Sequence, residues 1–406
     1  MKTIHFTILI FLTQFSLIAA VCGQVTPHKI AAIHPENADY NDLHFLREEL
    51  KDVRIIGLGE QSHGDGATFE AKVRLIKYLH EELGYNVIAF ESGLYDCTKA
   101  NEIMEAGGGA NENIFKAIFD TWNCEEVRKL ADYMDECRKK GQPLTLAGFD
   151  CQLAGDFAKK DFITDFTQFI NTTALATRQP ILEDEITFAD ALRKHIKFSN
   201  FFTKLSAADT TILFNTISRL QQAIATHHLA GKEIAYWLQI ADNILVDYRR
   251  KYGNFSLRDS IMASNLTLAT NTIFKEKKII LWAASSHLAY NVNLVADKDF
   301  RKSSMGNDLR KSFGAAYYCM LFTSYTGKAK VGFLNLKVGQ PAKDGLESYL
   351  KTIMQDYGYV SLRNRTADLC SHGANAKVFG HKALNMDLCH MADGVFYIEK
   401  MTPVRY

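Results

Sequence analysis

Four short apolar runs, each meeting a polar or ionisable side chain at its end, constrain the fold of this chain more than any other feature of its sequence. The first run, Val53–Glu60, ends in glycine and an acid, and a helical period follows it from Thr68 to Leu83. Short, uninterrupted apolar runs of this kind are typical of strands that are buried on both faces. The four runs occupy residues 53–60, 85–91, 144–150 and 278–286.

Strands that alternate with helices predict an α/β fold, in which a mainly parallel central sheet is flanked by helices. Apolar spacing also predicts a helix over residues 39–51. Further strand candidates lie at residues 315–323, 330–335 and 394–399.

Residues 155–275 have a different pattern from the rest of the chain. They carry long helical periods from Ala208 to Leu229 and from Ile234 to Tyr252, and no convincing strand interrupts them. We therefore predict one α/β domain over residues 24–406, with residues 155–275 as a large helical insertion that forms a cap lobe over the sheet.

The first 23 residues are typical of a secretory signal peptide. Lys2 precedes an apolar run from Ile4 to Val21, and small residues then lead to a cleavage point after Gly23. This pattern predicts a secreted or periplasmic protein, with an uncleaved anchor helix as the alternative. No later stretch offers about 18 uninterrupted apolar residues, so the sequence predicts no membrane span after signal removal.

Charge and cysteine usage exclude some classes of partner and site. Lysine plus arginine total 47 and aspartate plus glutamate 46, without a basic stripe, so we predict no nucleic-acid binding. No C-x-x-C pair exists, which argues against a cysteine zinc site. An exported protein can oxidise its cysteines, and Cys370 with Cys389 is the first pair to test.

Polar side chains at the strand ends predict an active site. Glu60 with His63, Glu91, Asp150 and His287 each follow or end an apolar run. Ligands bind at the carboxyl ends of strands in an open parallel sheet, so these side chains should converge. His63 is the natural general base, because an unperturbed imidazole titrates near neutral pH.

Two other mechanisms remain open at this stage. No Gly-x-Ser-x-Gly elbow is present, which leaves Ser62, Ser285 and Ser286 as minor nucleophile candidates only. The Glu60, His63, Glu91 and His287 side chains would also suit zinc or manganese chemically. Nothing in their spacing requires a metal, however, and we predict a site without metal or other cofactor.

At these same residues the chain resembles the erythromycin esterase family. The similarity extends from about residue 40 to residue 404, and the order and spacing of its motifs are more specific than any one of them. The matching segments are Gly59–Gly64, Phe90–Glu91, Gly148–Gln152, Arg258–Ala263, Trp282–His287, Gly306–Gly314 and Ala392–Pro403.

The resemblance implies an α/β core with a helical lobe, and hydrolysis of esters or macrolide lactones by metal-independent general-base catalysis. His63 would then activate water, Glu60 and Glu91 would orient it, and His287 would position the ester or help to protonate the leaving alkoxide. Two positions depart from the family, which has a histidine at Ala67 and an arginine at Lys72. These departures bear on macrolide cleavage more than on hydrolysis itself.

Supporting roles are predicted for several cationic and acidic groups. Lys72, Arg258 or backbone amides at the start of the helix near Thr68 would hold the oxyanion, and Asp150 could touch the substrate. Trp122 and Trp282 either line an apolar pocket or pack in the core.

Three hypotheses follow from the sequence. The first is an exported hydrolase whose partner is a small-molecule ester or lactone. The second is a metal-dependent hydrolase that uses the same residues, and the third is a non-catalytic protein that binds a macrocycle. The sequence leaves the oligomeric state open.

Overall fold

The computed structural model describes residues 26–197, 205–254 and 256–406. The predicted signal peptide, residues 1–23, lies outside them. The strands, numbered in chain order, are β1 His28–Lys29, β2 Ile55–Glu60, β3 Tyr85–Gly93, β4 Thr145–Asp150, β5 Lys278–Ala284, β6 Tyr317–Val331, β7 Leu334–Lys337, β8 Tyr357–Ser361, β9 Asn375–Ala376, β10 Leu384–Asn385 and β11 Gly394–Met401.

The helices flank these strands and also fill the long segment between β4 and β5. They are α1 Leu46–Glu49, α2 Gly66–Leu83, α3 Leu94–Glu105, α4 Ala110–Ala117, α5 Glu125–Lys139, α6 Asp156–Lys160, α7 Phe162–Thr177, α8 Glu185–Lys197, α9 Ala207–Thr226, α10 Lys232–Lys251, α11 Leu257–Leu268, α12 Ser285–Leu288, α13 Met305–Phe313, α14 Leu346–Ile353 and α15 Ala367–Gly373.

One mixed sheet organises the described residues. Its order is β1-β8-β11-β6-β2-β5-β3-β4, and β7 pairs with β6. Every pairing from β11 to β4 is parallel, whereas β1, β7 and β8 add antiparallel pairings at the rim. The predicted fold class is therefore confirmed: the sheet is mainly parallel and helices cover it.

Both faces of the sheet are buried, which explains why its strands are apolar without alternation. Successive side chains of β2 point to opposite faces, so Ile56 and Leu58 join one hydrophobic core while Ile55 joins the other. The first core also contains buried residues of the insertion helices α7 to α10, and the second contains Met262 and Leu266 of α11.

The described part of residues 155–275 contains helices α6 to α11 and a single π-helical turn, Ala269–Ile273, but no strand. Its helical character follows from the periodicity of the sequence. The division into a domain and a cap lobe stays a prediction. No helix of the described residues is long and apolar enough to cross a membrane.

Two secondary-structure predictions are wrong in detail. Residues 39–51 form a 3₁₀ turn, Asn41–Leu43, and the short helix α1 instead of one helix. Residues 330–335 are not one strand, because Gly332 has a φ of 58° and the chain reverses there between β6 and β7. The result is a β6–β7 hairpin, residues 328–337, whose two-residue turn begins with glycine.

The predicted cysteine pair is present. Cys370 in the middle of α15 and Cys389 are joined by a disulfide, with their Cα atoms 5.6 Å apart. The other cysteines of the described residues are buried and free: Cys97, Cys124, Cys137, Cys151 and Cys319.

Candidate active site

Four neighbouring strands deliver the predicted site residues to one edge of the sheet. The order β2-β5-β3-β4 makes these strands adjacent and parallel, so their carboxyl ends lie side by side. Glu60 is the last residue of β2, Glu91 lies two residues before the end of β3, and Asp150 is the last residue of β4. The fourth group, His287, lies in α12, which begins directly after β5.

The first half of the site, which we call the His63 cluster, is built around Glu60. His63 Nδ1 lies 3.1 Å from Glu60 Oε1, and the indole Nε1 of Trp122 donates to the same oxygen at 3.2 Å. The other oxygen, Oε2, is ion-paired with the Lys72 ammonium. Glu60 and Lys72 are fully buried, but the His63 side chain keeps 41% of its surface exposed.

This arrangement leaves one nitrogen of His63 open to the site. Its Nδ1 is held by Glu60, and Nε2 has no hydrogen-bond partner among the described residues. Burial opposes protonation of His63, but the hydrogen bond and charge of Glu60, helped by the charge of Glu91, outweigh it and raise the pKa of His63 above its ordinary value. His63 is therefore a stronger base than a free imidazole.

The second half of the site, the His287 cluster, is an array of buried and partly buried charges. His287 Nδ1 lies 2.6 Å from Asp259 Oδ1, and its Nε2 lies 3.2 Å from Glu91 Oε1. Arg258 joins the carboxylates of two strands, because it bonds Glu91 Oε1 at 2.9 Å and Asp150 Oδ2 at 3.0 Å. The members are Glu91, Asp150, Arg258, Asp259, His287 and Arg301.

The carboxylates keep His287 protonated. Burial favours the neutral ring, but the charge of Glu91 and hydrogen bonds to Asp259 and Glu91 raise the pKa of His287 to about 9. Both ring nitrogens then donate, which matches two acceptors on opposite sides of the ring. The pKa of Glu91 is correspondingly held well below its usual value: burial opposes ionisation, but the charge of His287 outweighs it.

Glu91 interacts electrostatically with both clusters. It contacts His287 directly, and its charge also acts on His63 to raise the pKa of that side chain. Its second oxygen accepts the backbone N–H of Ala284 at 3.1 Å, which ties the end of β3 to the end of β5. The site therefore has one exposed imidazole that can accept a proton and one buried imidazole that keeps its proton at neutral pH.

The loop that carries His63 is held in place by hydrogen bonds to the buried carboxylate of Asp65 and to its backbone. Asp65 is fully buried, accepts the Ser62 N–H at 2.9 Å through Oδ2, and lies 2.8 Å from His381 Nε2 through Oδ1. The Gly64 carbonyl accepts two backbone N–H groups, from Lys330 at 3.0 Å and Val404 at 3.1 Å. The His63 loop is thus held by three distant parts of the chain.

The prediction that amides at the start of α2 hold the oxyanion is wrong for its first two residues. The N–H groups of Gly66 and Ala67 both donate to the Thr402 carbonyl, at 2.7 and 3.4 Å. The C-terminal segment of the chain therefore occupies the position where a substrate oxygen was expected.

Three side chains predicted to contact the substrate or the oxyanion, Lys72, Asp150 and Arg258, form ion pairs with other residues of the site. Lys72 and Asp150 are fully buried and paired with Glu60 and Arg258, so each contacts a site residue in this structure. Arg258 retains some exposure. Oxyanion and substrate contacts for these side chains stay predictions.

Of the serines considered as nucleophiles, Ser285 is buried and donates to the Gly59 carbonyl at 2.8 Å. Ser62 Oγ accepts the Gly64 N–H at 3.3 Å. Neither serine is hydrogen-bonded to a histidine, which is the pairing that activates a serine nucleophile.

The residues considered for a metal already have protein partners. His287 uses both nitrogens for carboxylates, and the Arg258 guanidinium lies 3.4 Å from its Nε2, where it would repel a cation. Among the described residues, no group of three or more His, Cys, Asp or Glu side chains is arranged to hold a metal ion.

Sequence reasoning assigned no role to Asp259, Arg301 or His381. Asp259 holds His287 and the Met305 N–H, and Arg301 bonds Asp259 Oδ2 at 2.9 Å. The sequence signals for Asp259 are its position beside Arg258 and its place in the matching segment Arg258–Ala263. Arg301 and His381 come from segments without a motif, so only the folded chain reveals them.

The fold therefore places two histidine–carboxylate clusters at the carboxyl ends of the parallel strands of an α/β sheet. The family model described as Erythromycin esterase matches residues 80–401. The chain therefore belongs to the erythromycin esterase family, which is a family of hydrolases, and this supports an esterase-type enzyme over a non-catalytic binding protein. The matched residues include the whole His287 cluster, whereas Glu60, His63 and Lys72 precede them.

Two curated proteins resemble the chain over most of its length. The putative hydrolase YbfO of Bacillus subtilis is 29% identical over 398 residues, covering 90% of this chain and 88% of its own. The type II erythromycin esterase of Escherichia coli is 24% identical and covers 90% of this chain and 94% of its own.

Solved structures share the fold. A protein described as a succinoglycan biosynthesis protein superposes with a TM-score of 0.73 at 17% identity, covering 93% of this chain and 95% of its own. A mutant of the erythromycin esterase EreC in its open conformation superposes with a TM-score of 0.65 at 16% identity, covering 91% and 96%.

Proposed function

We propose that this protein is an exported hydrolase that cleaves an ester or lactone, with His63 as the general base that activates water. The observation that carries this proposal is the environment of His63. Its Nδ1 is fixed by the buried carboxylate of Glu60, its Nε2 has no protein partner among the described residues, and its side chain is open to solvent. A histidine held in this way has one defined tautomer and one free lone pair.

In the proposed reaction, His63 Nε2 takes a proton from water as the water oxygen bonds to the carbonyl carbon. The carbonyl electrons move to its oxygen and form a tetrahedral oxyanion. When the intermediate collapses, the carbon–alkoxy bond breaks and the alkoxide leaves with the proton that His63 received. One water is consumed and one acid and one alcohol are formed.

The His287 cluster supplies fixed positive charge to this reaction. His287 remains protonated at neutral pH, and Arg258 beside it is a permanent cation. Preorganised charges stabilise an oxyanion more than water does, because they need no reorganisation during the reaction. We propose that Arg258, which keeps part of its surface exposed, stabilises the oxyanion, and that His287, whose two nitrogens are held by carboxylates, acts through its charge.

Lys72 has a supporting role in this proposal. Its ammonium neutralises one oxygen of Glu60 in a fully buried position, which keeps Glu60 ionised beside His63. Lysine lacks the second donor arm of an arginine. The change from the family's arginine to Lys72, with Ala67 nearby, bears on which esters are accepted.

Export is supported by two observations of different kinds. The first 23 residues have the composition of a signal peptide, and the Cys370–Cys389 disulfide is of the type that persists in oxidising compartments. We propose that the protein acts outside the cytoplasm, in the periplasm or beyond it.

The test of the proposed function is His63→Ala, measured on a panel of macrolides and simple esters. Mass spectrometry detects hydrolysis of a lactone as the gain of one water. We expect kcat/KM on every cleaved compound to fall by roughly 10²–10⁴, which is the usual contribution of a general base.

His390→Ala is the matched control, because His390 also pairs with a carboxylate three residues earlier, at 2.8 Å from Asp387, and is similarly exposed. Its activity should equal that of the wild type. Wild-type activity in His63→Ala, with His390→Ala also active, would disprove the role of His63.

A further inference from the structure

Exposed large apolar side chains gather at the β6–β7 hairpin. Phe333 at its turn is 98% exposed, Leu334 is 65% exposed, and Val331 and Leu336 are also open to solvent. The other exposed large apolar residues of the described chain are spread over distant elements, except Tyr406. Soluble proteins rarely leave such a group of side chains uncovered without a partner.

The hairpin is divided into an apolar face and a basic face by its register. Val331 pairs with Leu334 and Ala329 with Leu336, so these four side chains share one face of the ribbon. Lys330 pairs with Asn335 and Lys328 with Lys337, so the other face is basic. The apolar face continues into the core, because Ala329 at its base is buried.

The stretch of sequence that contains the hairpin carries charges of a single sign. No aspartate or glutamate occurs between Asp308 and Asp344, whereas lysines stand at 328, 330, 337 and 343. The ring of Tyr406, which is exposed, lies 5.5 Å from the Lys330 ammonium. Tyrosine and lysine beside an apolar tip are the residues that proteins place at the boundary between lipid and water.

The hairpin projects from the edge of the sheet that carries the active site. Its strand β6 is parallel to β2, and so its C-terminal end lies at the same edge as Glu60. The Lys330 N–H donates to the Gly64 carbonyl at 3.0 Å, which attaches the base of the hairpin directly to the His63 loop.

We propose that the β6–β7 hairpin docks this protein on a lipid bilayer that contains anionic lipids. Phe333, Leu334 and Val331 enter the apolar boundary of the bilayer, and the lysines of the basic face bind the anionic headgroups. An apolar insertion combined with basic residues provides the two signals that stable membrane anchoring requires.

A bilayer fits the hairpin better than a second copy of the chain. A two-fold contact between hairpins would pair the apolar face with itself and leave the lysines of the basic face without a partner. Lysines on an outer strand are also a known means of preventing strands from pairing edge to edge. A bilayer with anionic lipids provides an apolar layer for the tip of the hairpin and negatively charged headgroups for the lysines.

Docking in this way would present the mouth of the site at the surface where apolar esters accumulate. This consequence rests on the proposed function, but the docking itself does not. His63→Ala should therefore bind vesicles as the wild type does, so the two proposals can fail separately.

The test is flotation of the purified protein with phosphatidylcholine vesicles, with and without about one third phosphatidylglycerol. We expect binding to the anionic vesicles, weakened at high salt because screening shortens the reach of the lysine charges. Phe333→Asp should reduce binding roughly tenfold or more, since a charge is placed where an apolar ring entered the bilayer. The pair Lys328→Gln and Lys337→Gln should weaken binding and remove most of its salt dependence.

Leu175→Asp is the matched control, because Leu175 is an equally uncovered leucine, 82% exposed, in α7 of the insertion. It should bind as the wild type does, and thermal melting checks that each variant is folded. The proposal is overturned if the wild type ignores anionic vesicles or if Phe333→Asp binds them unchanged. It is also overturned if Phe333→Asp instead abolishes a dimer seen by light scattering.

Discussion

At the scale of single residues, the site separates its two histidines by their acid–base behaviour. His63 has one carboxylate partner and an open face, whereas His287 lies buried between Glu91 and Asp259. The pKa of His287 is raised to about 9, so it is a cation at neutral pH. Two identical side chains can therefore serve as base and as fixed charge in one reaction.

Removing the charge of Glu60 should change the pH dependence of the enzyme. His63 must be neutral to accept a proton, so activity rises with pH as His63 deprotonates. Glu60 raises the pKa of His63, and this rise lies at a higher pH than for a free imidazole. In Glu60→Gln we expect the acidic limb of the kcat/KM profile to move to lower pH, and activity to fall roughly 10²–10⁴-fold because the ring is less well oriented.

Two further variants make this result specific. Asp387→Asn removes the equivalent partner of His390, and its pH profile should match that of the wild type. Glu60→Gln also leaves the Lys72 ammonium buried without its partner, which is destabilising. Adding Lys72→Met should restore the melting temperature without restoring the profile. An acidic limb that stays in place in Glu60→Gln would contradict the role given to Glu60.

At the scale of elements, strand ends were predictable from the sequence and their long-range partners were not. Glu60, Glu91, Asp150 and His287 each follow a local apolar run, so their convergence follows from parallel pairing alone. Asp259 reaches His287 from the insertion side, and Thr402 reaches Gly66 from the far end of the chain. No local pattern predicts such contacts, and this is why the sequence does not reveal that the Gly66 and Ala67 amides already donate to Thr402.

Contact between the His63 loop and β6 should make Gly64 intolerant of a side chain. A Cβ atom there would lie 1.9 Å from the Lys330 carbonyl oxygen, and this neighbour is backbone that cannot move aside. In Gly64→Ala we expect the loop and the hairpin base to separate, with a loss of about 1–3 kcal/mol of stability and at least a tenfold fall in kcat. Thermal melting and ester hydrolysis measure both effects.

Gly373→Ala is the control for this substitution. Gly373 lies in α15, and an added Cβ would meet only the Leu388 side chain, at an ordinary 3.5 Å. This variant should melt close to the wild type and keep its activity, since alanine also favours the helix. Equal behaviour of the two variants would show that close packing of the loop on β6 is unimportant.

At the scale of the whole molecule, the C-terminal segment holds the His63 loop in place. The Cys370–Cys389 disulfide closes a segment of 19 residues that includes the β9–β10 hairpin and His381. His381 contacts Asp65, and Gln61 Nε2 donates to the Lys377 carbonyl at 2.7 Å. The compartment in which the chain folds therefore bears on its active site, because only an oxidising one maintains this closure.

Removing the disulfide should both lower stability and weaken the contacts that hold the His63 loop. Closing a loop of this length contributes about 3 kcal/mol, mainly by restricting the unfolded chain. For Cys370→Ser with Cys389→Ser we expect a melting temperature several degrees lower and reduced kcat, because His381 and Lys377 are less firmly held against the His63 loop.

A reductant should produce the same fall in the wild type and no further change in the double variant, which distinguishes loss of the bond from the effect of the serines. Protein recovered from the exported fraction should have two fewer alkylatable cysteines than the mature sequence, residues 24–406, produced in a reducing cytosol. A wild type that melts identically with and without reductant, or an exported form with both thiols free, would show that the His63 loop does not depend on the compartment.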